Sequence, residues 1–548
     1  MDCRALAFRQ LPHQPKLFLD YLDHFSRVES FYLHKPTMKS VRREAEALVY
    51  TSDRADNIAQ ILRKQNATFG SDAQTQANLD RLANGAVAVV SGQQVGLFGG
   101  PSYAIYKALM AIAVAKELTR DGIDAVPIFW MATEDHDLDE VRHTTWFHDG
   151  RSTHFELPAP AASNGNHVAS QPVGRIALGP ASSDIVREAS DLLEQQGSPR
   201  LAHILRASYA PNETYGSAFA KLFAGIFAGR GLILLDPLDP ELHRLAAPIL
   251  QQAAQQRDKL NELLLARGKD LEKAGYAAQV KVTAKSTVFF YLEPADAGDG
   301  SRQVITADAR GFHAGAKSWS AEEFAQAVAA TPENFSPNAL FRPVVQDFLL
   351  PTVAYIGGAA EISYFAQSSV LYRDLLNRMP VMLPRSGFTL VDVKAAKLLK
   401  QYKLTVEDLW RGSQELRRHL ERASVPKALA EQFEDEQKDL TKTLAKLGKQ
   451  IEKLDPTLQG AVSTAQRKIT FQLDKLRRKT GRALDQKSAV LAAHQQFLES
   501  QLYPHNALQS RELNFLPFLS RIGPTALDEL QKFSSTKKLG HHFILQWP

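Results

Sequence analysis

The chain has 548 residues, 65 basic and 60 acidic side chains, and a formal net charge of +5. That length exceeds a single hydrophobic core, so roughly two to four structural units are expected. The near balance of charge excludes a dense general nucleic-acid-binding face, and 44% hydrophobic with 23% charged residues excludes disorder as the ruling character.

One cysteine, Cys3, excludes an internal disulfide and any metal site needing two cysteine ligands. No run reaches the roughly 18 apolar residues of a membrane span. Asp2, Arg4 and Arg9 leave no apolar stretch for a secretory signal. The expectation is a cytoplasmic protein with neither a membrane nor a nucleic-acid partner.

Residues 1 to 80 read as helical, with little strand character. Ala86-Val-Ala-Val-Val90 is a short apolar strand that ends at the loop Ser91-Gly-Gln-Gln-Val-Gly-Leu-Phe-Gly-Gly-Pro101. Ile105, Leu109, Ile112 and Leu118 then have the spacing of an amphipathic helix, and Ala125-Val-Pro-Ile-Phe-Trp-Met-Ala132 is a second buried strand. Strand, loop, helix and strand in this order build parallel sheets. Gly231–Asp236, Pro351–Ile356 and Pro380–Pro384 repeat the strand pattern, which favours a doubly wound α/β core. The His-, Asn-, Gly- and Pro-rich stretch from about 145 to 185 reads as an insertion. So does the stretch from about 275 to 320, with Val288-Phe-Phe-Tyr291 and a Gly/Asp-rich loop.

From about 391 to 500 strand signals vanish. Leu440, Leu444, Leu447, Ile451, Leu454, Leu458, Ala461 and Ala465 step by four and three, a heptad seam. Asp455 is suited to cap and Pro456 to open a second helix, so an antiparallel helical hairpin is expected. Its many Lys and Arg residues read as a solvated face.

Three strand-to-helix junctions carry candidate chemistry. At the first, Gly92, Gly96 and Gly100 let backbone approach a ligand, Gln93 and Gln94 add neutral polar groups, and Lys107 lies two turns into the helix within reach of an anion. The loop is neither of the standard dinucleotide or Walker patterns, and a tight turn without a ligand is the competing reading. At the second, Glu134, Asp135, His136 and Asp137 follow a strand's carboxyl end, where they can hold an ammonium group or divalent ion and move a proton. Helix-start acids are the competing reading there. At the third, Glu361, Tyr364 and Gln367 share a helix face, with Arg342, Gln346 and Asp347 upstream and Arg385 and Ser386 after the next strand. The two arginines suit carboxylate or phosphate. His143, His148, His154 and His203 have no metal spacing, and no dedicated metal site is expected.

S-G-Q-Q-V-G-L-F-G-G-P-S-Y-A-I-Y-K and V-P-I-F-W-M-A-T-E-D-H-D resemble the bacillithiol biosynthesis cysteine-adding enzymes, the BshC family. P-V-G-R-I at 172–176, the run at 341–367, P-R-S-G-F-T-L-V-D at 384–392 and L-D-P-T-L at 454–458 extend the resemblance over most of the chain. Ser368-Ser369 stands where many relatives have Leu-Lys. The resemblance implies a Rossmann-like, doubly wound core over about 1–390, with connecting-peptide insertions at about 145–225 and 265–340. It implies a coiled-coil arm over about 391–500 that pairs two subunits as a homodimer, and a segment from about 501 to 548 packing back on the core. The implied reaction joins the cysteine carboxylate to the amino group of glucosaminyl-malate in the last step of bacillithiol synthesis. Because amide formation from a free carboxylate is uphill, ATP, with or without Mg2+, is the expected source of an activated cysteinyl group. On this view Glu134, Asp135, His136 and Asp137 are catalytic candidates, and the remaining residues of the three junctions bind substrate or nucleotide. A nucleotide-binding coiled-coil assembly protein and an amide ligase for another amine are the alternatives.

Overall fold

The computed structural model describes residues 2–159, 170–294, 300–423, 427–483, 488–523, 525–534 and 539–547. Part of each expected insertion, 160–169 and the Gly/Asp-rich loop at 295–299, lies outside the described residues.

Five parallel strands form the central sheet: β1 (Val87–Gln93), β2 (Ala125–Met131), β3 (Ile233–Leu235), β4 (Thr352–Gly357) and β5 (Val381–Pro384). Their spatial order is β5-β4-β1-β2-β3. Every residue of β2, β3, β4 and β5 is buried, as expected when helices cover both faces of a parallel sheet. Helix α1 (Tyr103–Arg120) makes the crossover from β1 to β2. The chain then builds outward from β1 in the other direction through β4, which places a topological switch point between β1 and β4.

The two insertions fall between β2 and β3 and between β3 and β4. The first contains an antiparallel hairpin, His143–His148 with Arg151–Glu156, and helices Ser182–Gln195, Pro199–Ser208 and Tyr215–Ile226. The second contains a five-stranded antiparallel sheet that includes Ser286–Leu292 and Arg302–Asp308. Helix α2 (Arg342–Leu349) returns the chain to β4, and helix α3 (Ala359–Leu375) leaves it.

The amino terminus departs from the helical expectation. Asp2–Ala7 is a strand, paired antiparallel with His541–Gln546, which in turn runs parallel to Gly387–Val391. The two chain ends therefore close a three-stranded sheet beside the core, and Phe388 stacks on Phe543 with ring centroids 5.5 Å apart.

The helical arm is narrower than the heptad texture implies. Helices α4 (Lys427–Leu454) and α5 (Gln459–Ala483) form the hairpin, joined where Asp455 Oδ1 accepts the Thr457 amide at 2.9 Å. The flanking helices Val393–Gln401, Ser413–Ala423 and Ser488–Leu502 instead bury Leu398, Leu416, Leu420, Leu498 and Leu502 in the same hydrophobic core as Phe129 of β2. On the hairpin itself Leu447 and Leu454 are 51% and 86% exposed while Leu444 and Ile451 are half-buried, so one chain leaves part of its apolar seam uncovered.

Candidate active site

A cavity of about 490 Å³ opens at the carboxyl edge of the central sheet, across the switch point. Its walls are Gly92 and Gln93 at the end of β1 with Gln94 just beyond it, Glu134 to His136 after β2, Gly358 to Glu361 after β4, and Arg385 after β5. Open α/β sheets take ligands at this place because the strand ends and the helix amino termini converge there. The inserted antiparallel sheet supplies a further wall through Phe290 and Arg302, and the carboxyl-terminal segment supplies Arg511.

Buried Lys107 forms an ion pair with half-buried Glu361 between α1 and α3. Lys107 also donates to Gly92 O and Gln93 Oε1, each at 2.8 Å. Glu361 further accepts from Tyr355 Oη at 2.7 Å and the Gly358 amide at 2.8 Å. Burial favours neutral Glu361, yet the lysine and these donors outweigh it and lower the carboxyl pKa. All three ammonium donors of Lys107 thus have partners. The lysine fastens the ends of β1 and β4 rather than waiting for an anion.

The acidic segment divides into different tasks. Asp137 accepts the Glu140 amide at 3.1 Å and caps the short helix Leu138–Val141, outside the cavity wall. Asp135 accepts from Gln94 Nε2 at 3.0 Å and from the His136 amide at 2.8 Å. His136 Nδ1 lies 3.2 Å from Arg302 Nη1. A guanidinium only donates, so Nδ1 accepts and the proton of the neutral ring sits on Nε2. Burial and then Arg302 lower the imidazole pKa, consistent with a neutral ring. Glu134 is buried, with Oε1 3.1 Å from His243 Nε2. No group of three or more His, Cys, Asp or Glu side chains suited to a metal occurs among the described residues.

Four guanidinium groups border the same space. Arg302 stacks on Phe290 at 3.7 Å from the ring centroid. Arg342 donates to Gln346 Oε1 at 3.0 Å and Tyr364 Oη at 3.2 Å, and neither is a carboxylate. Arg385 lies 5.3 Å from the Tyr103 ring centroid and donates to Ser386 O at 3.3 Å. Burial, with Arg511 adding repulsion, lowers its pKa to about 10. Arg511 is exposed at the rim. A wall with this much positive charge and so few carboxylate partners is suited to an anionic ligand.

Residues 1–386 match the family description "Bacillithiol biosynthesis BshC, N-terminal Rossmann-like domain", and residues 388–546 match "Bacillithiol biosynthesis BshC, C-terminal coiled-coil domain". The chain belongs to the BshC family. It is 39% identical over 535 residues to a protein of Koribacter versatilis, with 98% of both chains covered. It is 36% identical to one of Solibacter usitatus, covering 95% of this chain and 96% of the relative, and 32% identical to one of Chlorobaculum tepidum, covering 97% and 96%. All three carry the printed name "Putative cysteine ligase BshC".

Within this BshC-family chain the glycine loop is used differently at its two ends. Gly92 to Gln94 face the cavity, but Val95 to Gly100 are buried. Phe98, Gly99 and Gly100 all have positive φ (54°, 88° and 69°), which explains the paired glycines. Asn514 Nδ2 donates to Phe98 O and Gly100 O, each at 2.9 Å, and Tyr209 bridges Gly96 O and the Gly99 amide. A Cβ on Gly96 would come within 2.8 Å of Gly100 Cα. Gly96 and Gly100 therefore lie outside the cavity, in a packed turn.

Four other predicted residues also stand back from the cavity. Gln346 and Asp347 are buried beneath Arg342, Gln367 is bonded to the backbone of Val280 at 2.9 and 2.8 Å, and Ser386 is buried behind Arg385. The P-V-G-R-I motif acts through its backbone: the Val173 and Gly174 amides donate to Asp135 O and Thr133 O at 2.6 and 2.9 Å and hold the acidic segment in place. Arg302, Arg511 and His243 were missed by sequence reasoning. Each is distant in sequence from the segment it joins and carries no local motif.

Proposed function

We propose that this chain is a ligase that joins the carboxyl group of L-cysteine to the amino group of glucosaminyl-malate. The single observation that carries the reading is the switch-point cavity in which Glu134 faces Arg302, Arg342, Arg385 and Arg511. The names of the full-length relatives support the cysteine and the bond type. Malate presents two carboxylates, and the guanidinium wall offers the paired donors that carboxylates bind. Glu134 is the acceptor of the amine proton, because the accepting nitrogen of His136 already faces Arg302. His136 Nε2–H is a donor toward the reacting oxygen. Asp135 fixes Gln94, and Gln93 is fixed by Lys107.

ATP fits this donor set through its phosphates. The groups that would hold them are the cavity-facing Gly92–Gln94 stretch and the guanidiniums of Arg342, Arg385 and Arg511, not the packed turn at 96–100. When bound, it supplies the activation that a free carboxylate lacks. The arm pairs two copies of the chain through its exposed heptad seam, and the cytoplasm supplies the reduced cysteine.

The test is nucleotide dependence of product formation. The purified chain is incubated with cysteine and glucosaminyl-malate, with and without ATP, and the products are weighed by mass spectrometry. ATP-dependent gain of one cysteinyl group is expected. Nucleotide binding with no product indicates an assembly protein, and product only with another amine indicates a different acceptor.

A further inference from the structure

His243 is 6% exposed on helix Pro240–Gln255 and reaches the cavity only through Glu134. Both of its ring nitrogens face oxygen. Nε2 lies 3.1 Å from Glu134 Oε1, and Nδ1 lies 3.1 Å from Pro332 O. A carbonyl oxygen can only accept, so Nδ1 carries a proton, and a second proton on Nε2 would set an imidazolium at ion-pair distance from the Glu134 carboxylate. Glu134 Oε1 is shut away from solvent and accepts no hydrogen bond among the described residues, so the His243 ring is its polar neighbour at ion-pair distance, while the residue lines the cavity.

We propose that His243 is a positioning residue: as a buried imidazolium at ion-pair distance from Oε1 it supplies the counter-charge of the Glu134 carboxylate and leaves Oε2 to take the proton of the attacking amine. The proposal rests on the ligase reading for the step itself, but not for the charge state of the pair. In that step the amine nitrogen bonds to the carbonyl carbon of an activated cysteinyl group, derived from cysteine and a nucleoside triphosphate. The bond from that carbon to the activating oxygen breaks, its electron pair leaves on the oxygen, and the nitrogen proton passes to Glu134 Oε2. The pair returns to its resting state when the proton is lost to solvent.

The surroundings agree. Burial by itself lowers the imidazole pKa, but the carboxylate of Glu134 and the carbonyls of Pro332 and Phe335 outweigh it and raise the value. The other charges around the pair are Arg302 from the inserted sheet, Asp236 after β3, Asp135 beside Glu134, and the Arg244–Glu333 pair at the outer end. Asp236 is itself held by Thr133 Oγ1 and the Leu238 amide, and burial raises its pKa, so it competes weakly for the imidazolium. Arg302 adds positive charge on the cavity side, and Glu134 in turn favours its charged guanidinium.

Two readouts on the full chain test this. In the first, nitrogen-15 histidine spectra are recorded at pH 7.5, and His243 is assigned by its loss in His243→Gln. Both nitrogens protonated is the expected result, with reversion to a neutral ring in Glu134→Gln. A neutral His243 in the unsubstituted chain overturns the proposal, and this readout does not depend on turnover. In the second, the pH profile of cysteine transfer is compared between the unsubstituted chain and His243→Gln. The acid limb of kcat moves up by about one pH unit or more when the counter-charge is removed, with KM changing less than kcat. An unmoved limb in a folded variant overturns the proposal. Should His243→Gln fail to fold, His243→Asn supplies both the assignment and the pH profile. Absence of turnover in the unsubstituted chain overturns the ligase reading and the proton-acceptor role with it, while the spectra still report the charge of the pair.

Discussion

The buried Lys107 ammonium lies against the half-buried Glu361 carboxylate with its other two donors on Gly92 O and Gln93 Oε1, so one ion pair joins the ends of β1 and β4 at the switch point. Two charges brought out of water are tolerated here because each has further partners. Removing one weakens the hold on the other, although Glu361 keeps the more distant charges of Arg342 and Arg385. Lys107→Met is expected to destabilise the fold by about 3–5 kcal/mol, measured by denaturant unfolding. Lys107→Met combined with Glu361→Gln should cost less than the sum of the two single changes. Additive costs would mean that the pair is not coupled.

Arg511 is exposed at the cavity rim, unlike Arg342 and Arg385. Arg511→Ala should therefore leave the thermal midpoint unchanged. Loss of one charge-assisted bond to an anionic group should raise KM roughly tenfold for the substrate that Arg511 holds, ATP or glucosaminyl-malate. Steady-state kinetics beside a melting curve separate the two effects. A large loss of stability would place Arg511 in the fold instead.

His542 sits between Gly387 and Thr389, with Nε2 2.8 Å from Thr389 Oγ1. Burial, then the charge of Arg385, pushes its pKa from 6.5 down to about 3. The folded protein therefore favours the neutral ring. The stability this contributes is complete above pH 6.5 and is lost as pH falls from there toward 3. Melting temperature should decline across that window, and His542→Gln should flatten part of the decline. An identical slope in the variant would remove His542 from the acid response.

The hairpin of α4 and α5 exposes Leu447, Leu454, Leu458 and Leu476 in a single chain. Deleting residues 427–483 and closing the gap with a short flexible linker should convert a dimer to a monomer in sedimentation equilibrium. A wider deletion, 395–498, would also remove Leu416, Leu420 and Phe497 from the core and confuse unfolding with dissociation. A folded truncated dimer would place the interface elsewhere.

What could be read in the sequence follows from how local each signal is. The core strands are legible because parallel strands buried on both faces become unbroken apolar runs such as Val126–Met131. The hairpin is legible because its seam keeps a seven-residue period while Asp455-Pro456 interrupts the helix with a cap and a new start. Asp2–Ala7 is not legible as a strand, since its partner lies at 541–546 and its own pattern is short and mixed. The glycine loop reads as a ligand cradle, yet Gly99 and Gly100 are required by positive φ and Gly96 by the close approach of Gly100. Glu134 and Arg385 are visible as strand-end residues. His243, Arg302 and Arg511 become meaningful only when three distant segments meet at one cavity.

The most direct measurement is the mass of the product formed from cysteine, glucosaminyl-malate and ATP by the purified chain and by folded Glu134→Gln. The unsubstituted chain is predicted to form glucosaminyl-malate extended by one cysteinyl group, and the variant to form it at least about 100-fold more slowly. No product from the unsubstituted chain, or equal rates from the two proteins, would contradict the assignment of cysteine transfer to this cavity.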